Sequence, residues 1–346
     1  MIIERRCIHR HGEIRHVRRP PEGQAGAGWA RAFSNRGKSA IGGNRGALVK
    51  AVAARYDETM AHSRPPHSPQ ASPHRPGKDP RRHDKPPLKP ALRDGTRPAP
   101  RPGRVAESAG ARGGIWLYGL HAVRAALANP QRRVRRLMVT EEAEAALAER
   151  LPPPWPISPE RVERARIDQL LGRHIAHQGV ALLTDPLTVP PLAQVLERPG
   201  PILVLDQVTD PRNVGAILRS AAAFGAAAVI MQDRHAPEEA GALAKAASGA
   251  LEMVPLMHAV NLARTLVALK AAGLWTVGLV PGAPALVGAE YAARRVALVL
   301  GAEDVGLRRL LRETCDELRG LAVSGAMESL NVAAAAAIAL YELARR

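Results

Sequence analysis

From Ile115 to the C-terminus the sequence predicts an α/β protein, and three observations carry that reading. Apolar strand-like runs alternate with segments of helical periodicity. The later runs are continuous rather than alternating, as expected of parallel strands covered by helices on both faces. Polar, glycine-bearing loops follow several of these runs, at the sheet edge where open α/β folds bind ligands.

Taken in order, Tyr118 to Ala128 has helical spacing, Val134 to Val139 is a β-branched run, Glu141 to Arg150 is helical and Val180 to Leu183 is a short apolar strand. These predict a small α/β domain over 114–185. A proline-punctuated connector over 186–200 follows, with a helical piece near Leu192 to Leu196. A second domain over 201–346 has predicted strands at Ile202–Leu205, Ala227–Met231, Trp275–Leu279, Val296–Leu300 and Leu321–Val323. Its predicted helices are Val214–Ala223, Leu262–Ala272, Leu307–Thr314 and Leu330–Ala344.

Charge divides the chain unevenly. Residues 1–114 hold 24 Lys and Arg against 9 Asp and Glu, whereas the remainder holds 25 against 23, so nearly all of the net +17 lies in the first third. Fourteen of the 30 prolines lie there too, in runs such as RPPHSPQASPHRPGKDPRRHDKPPLKP. So little apolar surface does not offset the entropy of ordering, and the basic extension over 1–113 is predicted to be largely disordered. Residues 1–59 are basic and glycine-rich with a short helix expected near Ala47 to Tyr56, and Met60 opens a fresh polar stretch that marks it as an alternative start to Met1. A polycationic segment favours a polyanion, nucleic acid first, or serves as a solubilising tail.

Composition narrows the chemistry. Two cysteines, Cys7 and Cys315, give neither a disulfide framework nor a cysteine zinc site. His62, His67, His74 and His83 lie in the basic extension without metal-ligand spacing, so no metal is expected. Charges occupy the N-terminus where a secretory signal needs an apolar stretch, and no run of 18 apolar residues occurs, so a cytoplasmic protein is expected. No GxxxxGK[ST] phosphate loop, early GxGxxG strand-turn or GxSxG elbow is present.

Three motifs remain. LDQVTDPRNVGAILRSAAAFGA (205–226) runs from a strand through a polar loop into a helix, with Asn213 placed as its N-cap and Arg219 six residues on. LVLGAEDVGLRR (298–309) takes a buried strand into Gly301, Glu303 and Gly306, where backbone is able to approach a ligand. LAVSGAMESLNVAAAAAIALYE (321–342) clusters Glu328, Ser329 and Asn331 at the mouth of an apolar helix. Each motif alone reads equally as a cap, a solvated loop acid or a surface arginine. Their order, spacing and common place at strand ends are far more specific.

Together these segments resemble the three motifs of the SpoU/TrmH group of SPOUT methyltransferases, over residues 202–344. The stretches YGLHAVRAALANPQRRVRRLMVT (from Tyr118) and HQGVAL (from His177), with SGALEMVPLMHAVNLART (248–265) and ETCDEL (313–318), resemble the subgroup that methylates guanosine ribose in bacterial 23S rRNA. The resemblance implies an L30e-like RNA-binding domain followed by a catalytic domain closed by a C-terminal trefoil knot. It implies S-adenosylmethionine held by the loops 279–282, 301–306 and 321–330, with Leu279, Gly301, Leu321 and Leu330 at the cofactor. Arg219 is implied to act on the ribose hydroxyl, supported by Asn213, Glu303, Ser329 and Asn331. A homodimer packed through helices beside the knot is implied too. Two positions depart from the pattern: Leu321, Ala322 and Val323 stand where Ile-Pro-Met is usual, and Asp304 where glycine is common. Neither removes a group expected to do chemistry, although the missing proline frees a φ in the cofactor loop. The competing readings are a tRNA guanosine 2′-O-methyltransferase and a catalytically silent RNA-binding or ribosome-assembly protein.

Overall fold

The computed structural model describes residues 114–346, apart from 235, 238–240, 325–329 and 346. The basic extension, with its expected disorder and short helix, lies outside those residues.

The first part of the described chain runs β1 (Ile115–Tyr118), α1 (Leu120–Ala128), β2 (Val134–Val139), α2 (Glu141–Arg150), β3 (Pro159–Arg161), α3 (Arg164–Leu171) and β4 (Val180–Thr184). Its sheet has the order β1-β4-β2-β3, antiparallel except for the parallel β2–β3 pair. Tyr118 pairs with Ala181 and so ends a strand rather than opening a helix, because the apolar IWLY run finds β4 as a partner. Helix α2 starts where the sequence places it. The Thr140 hydroxyl accepts from the Ala143 amide at 3.3 Å, and Glu141, Glu142 and Glu144 sit at the positive end of the helix dipole. Strand β3 and helix α3 have no counterpart among the expected elements, being short and interrupted by charged residues.

Helix α4 (Leu192–Glu197) sits inside the stretch read as a connector, and its Leu192, Val195 and Leu196 are buried. The Arg295 guanidinium donates to the carbonyls of Gly200 at 3.0 Å and Arg198 at 2.6 Å, so the turn after α4 is tied to the start of a later strand.

Then follow β5 (Ile202–Asp206), α5 (Pro211–Ala223), β6 (Ala228–Gln232), α6 (Gly241–Ala247), β7 (Leu256–Ala259), α7 (Leu262–Ala271), β8 (Trp275–Leu279), β9 (Val296–Gly301), α8 (Arg309–Thr314), β10 (Glu317–Arg319) and α9 (Val332–Ala344). The six strands are all parallel in the order β10-β8-β9-β5-β6-β7. After stepping outward through β6 and β7, the chain crosses to the other half of the sheet and returns β9 to the slot beside β5. This reversal makes the carboxyl ends of β9 and β5 the topological switch point.

Side chains alternate along these strands, so the sheet serves two cores. Leu203, Leu205, Leu298 and Leu300 face α5, α6 and α9, whereas Ile202, Val204, Ala297 and Val299 face α4, α7 and α8. The first core continues into Leu117, Val123, Leu137 and Leu182 of the small sheet, so one apolar interior joins the two sheets. Their junction is tight. A Cβ at Gly241 on α6 would lie 2.1 Å from the Tyr118 ring, so only glycine lets β1 lie against that helix. Beside it the Arg132 and Glu252 side chains, 0% and 6% exposed, form an ion pair to which Asn129 adds a hydrogen bond at 2.7 Å.

Two expected elements change. Leu321–Val323 is not a strand: the last pairing with β8 is made by Glu317–Arg319. Gly320 then turns the chain past Ala283, pulling the apolar triplet off the sheet. Helix α5 begins at Pro211, not Val214, because the Asp210 carboxylate caps it by accepting from the Arg212 amide at 2.8 Å and Pro211 suits the first turn. Asn213 is therefore relieved of the capping role.

Two outcomes follow. Arg132→Ala leaves the Glu252 carboxylate buried without its cation and is expected to cost about 3 kcal/mol in urea unfolding, with Arg132→Met/Glu252→Leu recovering most of it. Burial, reinforced by the Asp316 charge, pushes the Cys315 thiol up to about 12. A raised value keeps it a thiol through mildly alkaline pH. Iodoacetamide at pH 8 should therefore spare Cys315 in the native chain and label it in urea, as read by peptide mass spectrometry.

Candidate active site

The carboxyl ends of four neighbouring strands stand in register: Arg319 beside Leu279, Leu279 beside Leu300, and Gly301 beside Asp206. The loops leaving those ends enclose a half-open cleft with a cavity of about 140 Å³ that opens to solvent. Leu279, Val280, Pro281 and Gly282 form one wall, Gly301 to Glu303 with Gly306 a second, and Leu321, Val323 and Leu330 a third. Leu330 and Val323 are exposed, large apolar groups held at the mouth of a cleft rather than in the core.

The second wall exists because β9 ends in glycine. The chain after Gly301 folds back in a tight loop, with the Gly306 amide donating to the Ala302 carbonyl at 2.9 Å. A Cβ on Gly301 would sit 2.1 Å from the Gly306 carbonyl carbon and 2.4 Å from the Leu307 nitrogen. Backbone contacts that short leave no room for any other residue.

At one rim of the cleft, side chains from three segments meet. One carboxylate oxygen of Glu303, Oε1, accepts from Asn213 Nδ2 at 3.3 Å, from the Val332 amide at 3.1 Å and from Asn331 Nδ2. Asn331 Nδ2 also donates to Asn213 Oδ1 at 3.1 Å, while Asn331 Oδ1 caps α9 by accepting from the Ala333 amide at 3.0 Å. The cluster thus joins the first turn of α5, the loop after β9 and the start of α9. Glu303 Oε2 accepts no hydrogen bond from the described residues.

The structure accordingly brings Asn213, Glu303 and Asn331 together and places Leu279, Gly301, Leu321 and Leu330 around the adjoining cleft. It does not tie Arg219 to them. Arg219 is exposed on α5, and among the described residues it makes no hydrogen bond or ion pair. Six positions along a helix is about 240° of rotation from Asn213, which turns the two side chains to different faces. Ser329 lies outside the described residues. Three residues escaped the sequence reading: Asp206, buried at the end of β5, Arg308 after the tight loop, and Gln232 at the end of β6, which are hydrogen-bonded to one another through Arg308. Both Asp206 and Arg308 stood inside the motifs, yet 102 residues apart nothing in the spacing pairs them.

Among the described residues no group of His, Cys, Asp and Glu fits a metal ion, and no helix is long and apolar enough to cross a membrane.

Comparison with known proteins gives this geometry a family. Residues 200–341 match the SpoU rRNA methylase family, and residues 116–190 match the substrate-binding domain of RNA 2′-O ribose methyltransferases. The chain is 44% identical over 188 residues to the 23S rRNA (guanosine-2′-O-)-methyltransferase RlmB of Nitrosomonas europaea, spanning 53% of this chain and 72% of that one. To the protein of the same name from Escherichia coli it is 38% identical over 245 residues, spanning 66% of this chain and 98% of that one. An AdoMet-bound rRNA methyltransferase from Sinorhizobium meliloti shares the fold with a TM-score of 0.55 at 25% identity, over 67% of this chain and 87% of that one. The SpoU methyltransferase AviRb of Streptomyces viridochromogenes does so with a TM-score of 0.56 at 24% identity, over 68% and 94%. With the cleft and the asparagine–glutamate cluster at the switch point of its parallel sheet, and spanning 72% to 98% of these relatives, the chain belongs to the SpoU rRNA methylase family.

Proposed function

We propose that the cleft holds S-adenosylmethionine and that the protein methylates the ribose 2′-oxygen of a guanosine in 23S rRNA. The observation that carries the reading is the Asn213–Glu303–Asn331 cluster on the rim of a glycine-floored, apolar-walled cleft. The names and matches of the relatives support the same substrate.

The residues suit that cofactor. Leu321 and Leu330 offer apolar contact to an adenine ring, and the open space beside Gly282 lets a ligand approach closely. When bound, S-adenosylmethionine supplies an electrophilic methyl group on a sulfonium. The chain's part is to bring the ribose oxygen into line with that carbon and to stabilise it as its proton leaves for water. A guanidinium is a poor base because it holds its proton through the neutral range, so Arg219 is assigned to the phosphate beside the target ribose and to the developing negative charge on its oxygen. RNA would then recruit Arg219 to the cluster, which fits its making no hydrogen bond or ion pair among the described residues. Glu303 keeps Oε2, which accepts no hydrogen bond among the described residues, for the ribose, and Ser329 and Asn331 are assigned to hold Arg219 and the ribose in place.

The same proposal extends to the rest of the chain. The basic extension covers 1–113, an L30e-like domain over 114–185 selects the RNA, 186–200 connects, and the catalytic domain over 201–346 closes in a trefoil knot through the cofactor loops. Two chains pair through α9, whose Ile338 and Tyr341 are exposed, and the protein works in the cytoplasm. Single-stranded or loop RNA is the substrate, since its 2′-hydroxyl and base edges are accessible.

Purified protein with radiolabelled cofactor should methylate one guanosine of 23S rRNA from a strain lacking the mark, and incorporation of nothing would show a pure RNA binder. Arg219→Ala should lower turnover by at least about a hundredfold while leaving cofactor affinity unchanged. Turnover near that of the unaltered chain would overturn its assignment. Gly301→Ala, by forcing the loop off β9, should abolish cofactor binding in calorimetry.

A further inference from the structure

Asp206 ends β5, is wholly buried, and is paired in register with Gly301 at the end of β9. Its two oxygens are both engaged by one residue. Oδ2 accepts from the Arg308 amide at 2.9 Å and Oδ1 from Arg308 Nε at 2.8 Å, with Nη2 2.7 Å away. The same Nη2 reaches Gln232 Oε1 at 2.8 Å, across to the end of β6. Arg308 is the residue on which the 302–307 loop closes: Leu307 before it is buried in the core, and α8 begins after it.

We infer that Arg308 is a positioning residue, latched by Asp206 and Gln232 to hold the 302–307 loop and thereby Glu303 in register with the cofactor cleft. The inference rests on the cofactor reading of that cleft. Its physical basis is that the loop's far side is held by the buried Leu307 and by Arg308, and of the two only Arg308 makes directional bonds. Within the loop only the Gly306–Ala302 backbone bond closes the turn, and Glu303 hangs from it toward Asn213 and Asn331. The guanidinium meets Oδ1 with a charge-assisted bond while the backbone amide of the same residue takes Oδ2, and this pairing of side chain and main chain defines both distance and orientation, which a single neutral bond does not. Arg308 also keeps 43% of its side chain exposed, so holding Asp206 buries the carboxylate but not the whole guanidinium, and the latch escapes most of the desolvation cost of a fully buried pair.

The test uses the full chain and two readouts, S-adenosylmethionine affinity by calorimetry and amide exchange of residues 302–308. Arg308→Gln should weaken affinity about tenfold and accelerate exchange across the loop, with kcat at saturating cofactor falling less than the affinity. Arg308→Lys, which keeps the charge but not the fork, should recover part of both. If Arg308→Gln fails to fold because Asp206 is left unpaired, Asp206→Asn/Arg308→Gln buries no lone charge and gives the same comparison. A folded variant with unchanged affinity and unchanged loop exchange overturns the latch. Should the unaltered chain bind no S-adenosylmethionine, the cofactor reading falls instead, and exchange at 302–308 alone decides whether Asp206 and Arg308 hold the loop.

Discussion

The close approach of the 302–307 loop to the end of β9 is the constraint on which the site depends. With no Cβ at Gly301, the chain reverses within a few residues and lays Gly306 and Leu307 against the strand it has just left. That reversal creates the second wall of the cleft and delivers Glu303 to Asn213 and Asn331. Because β9 occupies the slot between β8 and β5, the same loop lies beside the ends of both neighbours. The chemistry of the rim is thus assembled from segments far apart in sequence by one short piece of backbone geometry.

Helix starts are used here for more than capping. Asp210 and Pro211 open α5 three residues earlier than an Asn213 cap would, and this shifts Asn213 into the first turn with its amide free to donate to Glu303. At α9 the reverse economy holds. Asn331 caps the helix through Oδ1 and reaches the cluster through Nδ2, so one side chain both orders the helix and builds the site. Such double use ties the geometry of the rim to the rigidity of two helices.

The small sheet is not loosely tethered. Its apolar interior runs into that of the large sheet, and Tyr118 against Gly241 with Arg132 against Glu252 fixes the orientation of the contact. A buried ion pair adds little net stability over an apolar pair of the same shape, but it tolerates few alternative registers. The surface that matches RNA 2′-O ribose methyltransferase substrate-binding domains is therefore held at a defined place relative to the cleft.

The sequence by itself determined the elements with long, unambiguous patterns. The continuous runs of β5, β8 and β9 announced a parallel sheet, Thr140 with its acidic followers announced α2, and the motif residues announced which loops matter. It failed where pattern is short or where a partner is distant. Leu321 to Val323 has strand composition, yet the hydrogen-bonding edge of β8 is taken by Glu317 to Arg319, and the apolar triplet lines the cleft instead. Strand β3 and helix α3 are short, carry several charged residues, and exist because β2 and the small core accept them. The joining of Asp206 to Arg308 and the meeting of Asn213 with Asn331 came only with the tertiary structure. Local propensity records which residues favour a strand or a turn, whereas distances between strand ends follow from the order in which the sheet is assembled, and no window of sequence contains that order.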